Sequence, residues 1–291
     1  MTEGARPPER FSLCTWNCFG AAQGLVSVLR GRGAAAAHRF EHPDLHEELT
    51  RVDILCAQEL WLEDAVHAFH KPAHLPNRLL AENRWTFLPL TIAGSGLGIA
   101  SRYRVVASRF ASFSRPHAGS ERFARKGMAY ARIALPSGSE LDVVTTHMQS
   151  GYTDLAAAVR ARHLGELRAF ADEVGSDDRP LVVAGDLNVD GRLAVRDREY
   201  RTLEDVFSGF TDVFRDDDPI TFHPTGNGLA GKYEPDAADQ RVDYVLIRDR
   251  GRTLEVLERE RFLDDVLPAR GAHGAIHASD HYALRVELRE R

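Results

Sequence analysis

Short apolar runs recur along the whole chain, and most of them would be apolar on both faces of an extended segment. This pattern is typical of strands buried inside a layered α/β protein, because a strand covered on both sides has no polar face. Eight runs are predicted to be strands: residues 11–16, 52–57, 97–101, 129–135, 141–146, 181–184, 242–247 and 282–288. The turn sequence Pro136-Ser137-Gly138 separates the fourth run from the fifth, which predicts a hairpin.

Two other stretches have helical spacing instead. In residues 43–51, Leu45 and Leu49 are four apart and Pro43 suits a first helical turn. Residues 154–174 carry one apolar stripe, and Asp154 is a candidate N-cap. Strands and helices in alternation, together with the hairpin, predict an α/β (α+β) sandwich built on mixed sheets. Since no linker or internal repeat divides the chain, residues 1–291 are predicted to form a single domain.

Charge and cysteine content narrow the classes of protein. With 37 basic and 43 acidic residues the chain lacks the basic surface of a nonspecific nucleic-acid coat. An enzyme that meets phosphate through a bound cation stays open, because the ion supplies positive charge. Cys14, Cys18 and Cys56 lie in apolar runs and are predicted to be buried free thiols. No signal-peptide pattern and no membrane-spanning run is present, so a cytoplasmic protein is expected.

Polar residues stand where the predicted strands end. They are Asn17, Glu59, His147, Asp186 with Asn188, and the pair Asp280-His281 before the last strand. Layered α/β enzymes build their sites at strand ends, where rigid strands meet accessible loops, so we expect these side chains to converge. Carboxylate and amide oxygens suit Mg²⁺, and an aspartate with a histidine suits general-base activation of water.

Each of these residues also has an ordinary structural explanation. Asn17 alone would be a turn residue before Gly20, and Asp186 with Asn188 would be an Asx turn. His147 alone would be a hydrogen-bonded core histidine. None of these explanations accounts for a polar residue at every strand end, and that coincidence favours a shared site.

Two further patterns carry less weight. Residues 226–231 match the glycine pattern of dinucleotide-binding loops, but no apolar strand precedes them and Pro235 prevents a long helix, so a flexible loop is predicted. His42 and His46 have a zinc-compatible spacing of four on a predicted helix. An exposed helix face explains them better.

Six short motifs resemble, in their order along the chain, those of the endonuclease/exonuclease/phosphatase superfamily. They are Thr15-Trp16-Asn17, Gln58-Glu59, Thr146-His147, Gly185-Asp186-Leu187-Asn188, Arg241-Val242-Asp243-Tyr244 and Ser279-Asp280-His281. The combination of Gly-Asp-x-Asn with a later Ser-Asp-His is specific, and the motifs extend from residue 15 to residue 281. The resemblance implies a four-layer sandwich, two mixed β-sheets flanked by helices, with one metal-assisted site.

The resemblance also implies roles for the matching carboxylates and amides. Glu59 would bind the metal, with Asn17 beside it as a second ligand. The metal would be Mg²⁺, with Mn²⁺ as the alternative. Asp186 and Asn188 would position the attacking water and a phosphate oxygen.

For the histidines the resemblance implies phosphate chemistry. His147 would hold the phosphate and stabilise the charge that develops on it. His281 would be either the general base or a phosphate ligand. Asp243 and Asp280 would orient the histidines and fix their tautomers, which is a role with its own physical logic.

Two details resemble the neutral sphingomyelinase branch of the superfamily. The segment 125–130, Arg-Lys-Gly-Met-Ala-Tyr, resembles its Lys-Gly motif, and Lys126 would then bind the substrate phosphate. A solvated loop charge is the alternative for Lys126. The segment 146–150 resembles its Thr-His-x-Gln-Ala step. Secreted bacterial members of that branch enter membranes through a hairpin with exposed aromatic residues, whereas residues 248–278 here offer only Phe262.

The predicted function is Mg²⁺-dependent hydrolysis of a phosphodiester by direct attack of water, since no Ser or Cys nucleophile has a recognisable setting. A phospholipid such as sphingomyelin, or another small phosphodiester, is the predicted substrate. A nuclease and a sugar- or inositol-phosphate phosphatase are alternatives. For a nuclease, a basic track is available from Arg102, Arg104, Arg122, Arg125 and Lys126. An inactive binding module is disfavoured, because all eight matching residues are present, and no obligate protein partner is implied.

Overall fold

Strands and helices alternate along the chain in the computed structural model, which describes residues 10–20, 36–81, 94–119, 121, 124–196 and 198–291. The strands are β1 (Arg10–Asn17), β2 (Ile54–Gln58), β3 (Asn77–Ala81), β4 (Leu97–Ser101), β5 (Arg104–Ser112), β6 (Gly127–Ala134), β7 (Glu140–His147), β8 (Leu181–Asp186), β9 (Thr211–Asp212), β10 (Asp243–Arg248), β11 (Leu254–Phe262), β12 (Val266–Leu267), β13 (Ile276–His277) and β14 (Ala283–Glu290). The helices are a 3₁₀ helix (Ala37–Glu41), α1 (Pro43–Leu49), α2 (Glu63–Phe69), α3 (Asp154–Val174), α4 (Arg198–Val206) and α5 (Gly228–Tyr233).

Two six-stranded sheets form the centre of the fold. Their strand orders are β11-β14-β1-β2-β4-β3 and β5-β6-β7-β8-β10-β9, while β12 and β13 pair separately. Apolar side chains from both sheets, such as Leu13 and Val143, pack in one buried cluster between them. Helices α1 and α2 cover the outer face of the first sheet, and α3 and α4 cover the second. The predicted four-layer sandwich of two mixed sheets is therefore confirmed.

The central strands agree with the hydrophobic pattern. All eight predicted runs are strands, and the helices predicted at 43–51 and 154–174 are α1 and α3. The predicted hairpin is β6 and β7, which pair antiparallel. Cys14, Cys18 and Cys56 are buried free thiols, as predicted. No helix in the described part of the chain is both long enough and apolar enough to cross a membrane.

The strands that the hydrophobic pattern does not predict include all four sheet edges, β3, β5, β9 and β11. Strands β5 and β11 carry several exposed polar and charged residues, so their apolar signal is interrupted. Charged side chains on an edge strand discourage pairing with another chain. The charged residues that discourage pairing at these edges therefore also interrupt the apolar pattern from which a strand is predicted.

Three local predictions are wrong. Asp154 is not the N-cap of α3, because Thr153 precedes it and accepts a bond from the backbone N–H of Ala156, while Asp154 is the first helical residue. Residues 226–231 do not form a flexible loop, because Asn227 caps the short helix α5 by accepting bonds from the backbone N–H groups of Leu229 and Ala230. His42 does not lie on an exposed helix face. It is buried, its Nδ1 accepts a bond from the N–H of Asp44 at the start of α1, and its Nε2 lies 3.1 Å from the carbonyl oxygen of Pro268.

Helix α3 buries a neutral histidine. His163 is fully buried, and its ring stacks on Phe113 with the ring centroids 4.0 Å apart. Neither ring nitrogen has a hydrogen-bond partner in the described parts of the chain. Burial, assisted by the neighbouring His117 and Arg162, lowers the pKa of His163 to about 2.

We predict that His163 makes the protein less stable in acid. The unfolded chain takes up a proton on this ring below its ordinary pKa of 6.5, whereas the folded chain does so only near pH 2. The stability is therefore full above pH 6.5 and falls with decreasing pH, by up to ~1.4 kcal/mol per pH unit for one group. Urea unfolding between pH 5 and about pH 7 should give a flatter pH dependence for His163→Leu.

The matched control is His67→Gln, at an exposed position on α2, which should keep the wild-type pH dependence. If the stability of His163→Leu falls with decreasing pH as steeply as that of the wild type, His163 does not cause the loss of stability in acid.

Candidate active site

The pairing of strands brings the polar strand ends together. In the first sheet β1 and β2 are parallel, and Asn17 lies opposite Gln58. In the second sheet β7 and β8 are parallel with His147 opposite Asp186, and β10 is antiparallel to β8 with Asp243 opposite Asp186. The two sheets meet where Asn17 Nδ2 donates to Asp186 Oδ2 at 3.0 Å. The predicted convergence of these side chains is therefore present in the structure.

Asn17 links two carboxylates. Its Nδ2 donates to Glu59 Oε1 at 3.3 Å as well as to Asp186, and its Oδ1 accepts a bond from the backbone N–H of Phe19 at 3.0 Å. The amide nitrogen, rather than the oxygen, thus faces the carboxylates. The side-chain oxygen of Asn17 could bind a metal only if the amide group were flipped, so that Oδ1 and Nδ2 exchanged positions.

Two residues of the site have left-handed backbone conformations. Glu59 has φ of 58° immediately after β2, and Asn188 has φ of 53° after β8. Asparagine tolerates this region, whereas glutamate rarely adopts it, at a cost of order 1–3 kcal/mol. The fold holds the Glu59 carboxylate in the site despite that cost. The Asn188 side chain bonds to the carbonyl of Met148, and its N–H bonds to Asp186.

His281 is held by an aspartate. Its Nδ1 lies 2.9 Å from Asp243 Oδ2, and its Nε2 lies 3.9 Å from Asp186 Oδ2. Burial lowers the pKa of His281, but Asp243, Asp280 and Asp186 outweigh burial and raise it well above the ordinary value. The ring is therefore charged while those carboxylates carry their full negative charge.

His147 is the neutral histidine of the site. Lys126 Nζ lies 3.1 Å from His147 Nε2, so this nitrogen accepts a bond and the proton is on Nδ1. Asp186 Oδ2 and Glu59 Oε1 lie 3.4 and 3.9 Å from the same nitrogen. Burial, together with the charges of Lys126 and His281, lowers the pKa of His147 well below its ordinary value.

Lys126 is buried, with 1% of its surface exposed, so the alternative of a solvated loop charge is wrong. Besides His147, its ammonium contacts the Glu121 carboxylate and the carbonyl oxygen of Met148. Its three N–H donors are therefore directed at protein groups in this structure. The predicted contact with a substrate phosphate remains a prediction.

Asp280 and Asp243 differ in what they touch. Asp243 contacts His281 Nδ1, which is the contact that its implied role in orienting this histidine requires. Asp280 accepts a bond from Ser279 Oγ at 3.1 Å and, within the described ranges, makes no hydrogen bond to either histidine. Its influence on His281 is that of a nearby charge. Burial, with the charge of Glu59, raises the pKa of Asp280 to about 7.

The site contains more carboxylate than its cations offset. Glu59, Asp186, Asp243 and Asp280 are gathered there, and burial raises the pKa of Glu59 and brings that of Asp186 to about 6. Asp243 Oδ1 is buried without a partner among the described residues. Ligand atoms of Asp186, Asp243 and His281 lie within 4.8 Å of one another. This oxygen-rich set fits a hard divalent cation.

The predicted basic track is not continuous with the site. Arg102 pairs with Asp53 just before β2, at the end of that strand away from Glu59. Arg104 lies opposite Ala134, at the far end of β6. Arg122 lies outside the described residues. Of the track, Lys126 reaches His147, and Arg125 bonds to Ser112 Oγ at 3.1 Å.

Sequence reasoning missed two charged residues that support the site, Arg39 and Glu121. Glu121 holds Lys126, and also accepts bonds from the N–H and Oγ of Ser150. Arg39 is fully buried behind the site. Neither stands at a strand end, so the pattern that identified the other residues could not find them.

Comparisons with known proteins agree with this geometry. A model of the endonuclease/exonuclease/phosphatase family matches residues 14–281. The chain is 24% identical to sphingomyelinase C of Listeria ivanovii, over 53% of this chain and 46% of that protein, so it spans about half the length of this curated relative.

Solved structures show the same fold. A variant of beta toxin from Staphylococcus aureus with bound magnesium ions has a TM-score of 0.74 at 18% identity, covering 96% of this chain and 99% of that one. Zebrafish (D. rerio) TDP2 with a single-stranded DNA product has a TM-score of 0.70 at 18% identity, covering 96% and 99%. Because the family model spans nearly the whole chain, the protein belongs to the endonuclease/exonuclease/phosphatase family.

Proposed function

We propose that the protein is a Mg²⁺-dependent phosphodiesterase that hydrolyses a phospholipid such as sphingomyelin, or another small phosphodiester, by direct attack of water. The arrangement around Asp186 carries this proposal. Its Oδ2 lies 3.4 Å from His147 Nε2, 3.9 Å from His281 Nε2 and 3.0 Å from Asn17 Nδ2. One acidic oxygen between two histidines is an arrangement that suits positioning of a water beside a phosphate group.

A divalent cation fits the site because the four carboxylates gathered there outnumber the three cations that the described ranges place around them, Lys126, Arg39 and His281. Glu59 and Asp186 would hold it on either side of Asn17, and Asp243 offers an oxygen without a partner among the described residues. When bound, Mg²⁺ supplies positive charge that offsets the charge developing on the phosphate. The beta toxin structure with bound magnesium ions supports this assignment.

His281 is the proposed general base. Its Nδ1 bond to Asp243 fixes the ring so that Nε2 faces Asp186, and the 3.9 Å between Nε2 and Asp186 Oδ2 allows one water to bond to both. A general base must first be neutral. Since the carboxylates are what hold the proton on His281, neutralising them with a cation lowers the pKa of this ring.

Two observations favour a lipid or small ester over a polynucleotide. The sequence relative is a sphingomyelinase. Arg102 and Arg104, which would form much of a track for a nucleic acid, lie at the ends of their strands that are remote from the site. The likeness to TDP2 with bound DNA keeps a nuclease as the second candidate.

A substrate panel tests the proposal. Sphingomyelin in mixed micelles, bis-p-nitrophenyl phosphate, inositol phosphates and plasmid DNA would each be assayed with Mg²⁺ and again after chelation. We expect Mg²⁺-dependent release of phosphocholine from sphingomyelin and slower cleavage of the small diester. Cleavage of plasmid DNA alone would make the protein a nuclease, and activity that survives chelation would remove the metal from the mechanism.

The first prediction from this site concerns Glu59. Glu59→Gln keeps the shape of the side chain and removes its charge, so the Mg²⁺ concentration that gives half-maximal activity should rise and the maximal rate should fall. A Mg²⁺ titration of the rate measures both. Glu63→Gln, on α2 just beyond the site, is the matched control and should titrate like the wild type. An unchanged titration in Glu59→Gln would remove Glu59 from the metal site.

The second prediction concerns the water-activating pair. His281→Ala and Asp186→Ala should each lower kcat by roughly 10²–10⁴-fold, which is typical for loss of a general base. The double variant should lose little more than the worse single variant, because both side chains serve one step. Losses that multiply in the double variant would contradict a shared step. Circular dichroism should confirm that each variant is folded.

The third prediction concerns Lys126. Lys126→Met removes the charge beside His147 while filling much of the same space, so we expect weaker binding of substrate phosphate without a loss of Mg²⁺ affinity. Inhibition by inorganic phosphate and a Mg²⁺ titration separate the two effects. Lys71→Met, which breaks a surface ion pair with Glu41, is the control. Wild-type inhibition by phosphate in Lys126→Met would show that Lys126 does not contact the phosphate.

A further inference from the structure

A buried arginine lies directly behind the candidate site. Arg39, in the 3₁₀ helix, is fully buried, and its guanidinium lies over the ring of Phe40 at 4.0 Å from the centroid. Its Nε donates to the carbonyl oxygen of Ala278 at 2.7 Å. Its second terminal nitrogen donates to the carbonyl oxygens of Phe19, at 2.8 Å, and of Cys18.

These carbonyls belong to two segments that carry the site. Cys18 and Phe19 follow Asn17, whose amide touches Glu59 and Asp186. Ala278 precedes the segment that contains Asp280 and His281. The guanidinium therefore joins the segment behind the metal-binding side of the site to the segment that holds the proposed base. A second link runs parallel to it, from Ser279 Oγ to the carbonyl oxygen of Asn17 at 2.6 Å.

The charge of Arg39 also bears on the site. Burial lowers the pKa of Arg39 to about 10, while Asp280, Cys18 and Glu59 act against that shift. The group is thus cationic at neutral pH. A buried cation is costly unless its donors are satisfied and an opposite charge is near. Arg39 has both, because backbone carbonyls satisfy its donors and the Asp280 and Glu59 carboxylates supply the opposite charge.

We propose that Arg39 is a positioning residue for the reaction, which cross-links the segment after β1 to the segment before His281 and thereby fixes the distance between Glu59 and His281. This proposal rests on the proposed function. Arg39 does not face the reacting atoms, and it acts through the two segments that it joins. The planar fork of arginine reaches carbonyls on both segments at once, whereas the single ammonium of lysine would satisfy fewer of them.

The test compares three variants. Arg39→Lys keeps the charge and loses the fork, and Arg39→Met loses both. Arg248→Lys is the matched control, because Arg248 is also buried but pairs with Asp172 at the far end of β10 from Asp243. Three readouts would be measured on each protein: amide hydrogen exchange, binding of Mn²⁺ by electron paramagnetic resonance, and kcat with KM on the best substrate of the panel.

In Arg39→Lys we expect faster amide exchange in residues 18–20 and 278–281, weaker Mn²⁺ binding, and kcat lower by about 10- to 100-fold with little change in KM, since misplacement by 1 Å can cost about 10²-fold. Arg248→Lys should lower thermal stability without any of these effects. Wild-type exchange and wild-type kcat in Arg39→Lys would overturn the proposal. So would equal effects in Arg248→Lys, which would mean that loss of any buried arginine loosens the site.

A rescue experiment covers the case in which Arg39→Met is too unstable to interpret. Arg39→Ala leaves a cavity, and low millimolar guanidinium should restore the slow amide exchange in both segments, whereas ammonium at equal ionic strength should not. Equal rescue by guanidinium and ammonium would contradict a role for the planar guanidinium group of Arg39. Amide exchange and Mn²⁺ binding need no substrate, so they test the positioning role of Arg39 even if no substrate of the panel is cleaved.

Discussion

Negative charge held away from water is the constraint around which the site is arranged. Asp186, Asp243 and Asp280 are buried at the edge where the two sheets meet, with the half-buried Glu59 beside them, and burying one uncompensated carboxylate is already costly. Each cation nearby therefore has a fixed position and its own partners: Lys126 is held by Glu121, Arg39 by backbone carbonyls that include those of Cys18, Phe19 and Ala278, and His281 by Asp243. The negative charge that these cations do not offset favours binding of a divalent cation.

The fold produces that concentration of charge through ordinary packing. The inner faces of the sheets are apolar along the strands, so the cluster between them excludes water and fixes the sheets relative to each other. Polar residues begin where the strands end. Because β1 pairs with β2 and β7 with β8 in parallel, each pair ends at the same edge, and the side chains from both sheets meet there. Asn17 is one point of contact between the sheets at this edge, since its amide bonds to Glu59 after β2 and to Asp186 of β8.

The sequence predicts the centre of this molecule better than its borders. Central strands are covered on both sides and appear as continuous apolar runs, whereas the edge strands β5 and β11 are interrupted by charged residues that face water. Site residues at strand ends were predictable for the same reason, as polar breaks after apolar runs.

Arg39 and Glu121 were not predictable in this way, because their contacts join segments that are distant along the chain, such as Arg39 with Ala278. The role of Asn227 was also not predictable from its local sequence. It caps α5 and also donates to the carbonyl oxygen of Ser279 at 2.9 Å, so a glycine-rich stretch that suggests a loop is in fact fastened to the site. In the part of the chain described, Asp280 makes no hydrogen bond to either histidine. This depends on the direction of its side chain, which residue spacing does not reveal.

The strand ends position the side chains of the candidate site, so we expect the surrounding loops to determine the choice of substrate. In this chain the β12–β13 hairpin is fastened by polar contacts: His42 Nε2 lies 3.1 Å from the carbonyl oxygen of Pro268, Arg270 bonds to the carbonyl oxygen of Glu41, and His273 stacks on His38. Phe262, the one aromatic residue in residues 248–278 apart from histidines, lies at the end of β11 and is buried. The hairpin still presents apolar surface beside these polar anchors, because Val266 is 50% exposed. For the proposed lipid substrate, selectivity would therefore depend on this loop surface as well as on the phosphoester group, which would bind near Asp186 and Lys126.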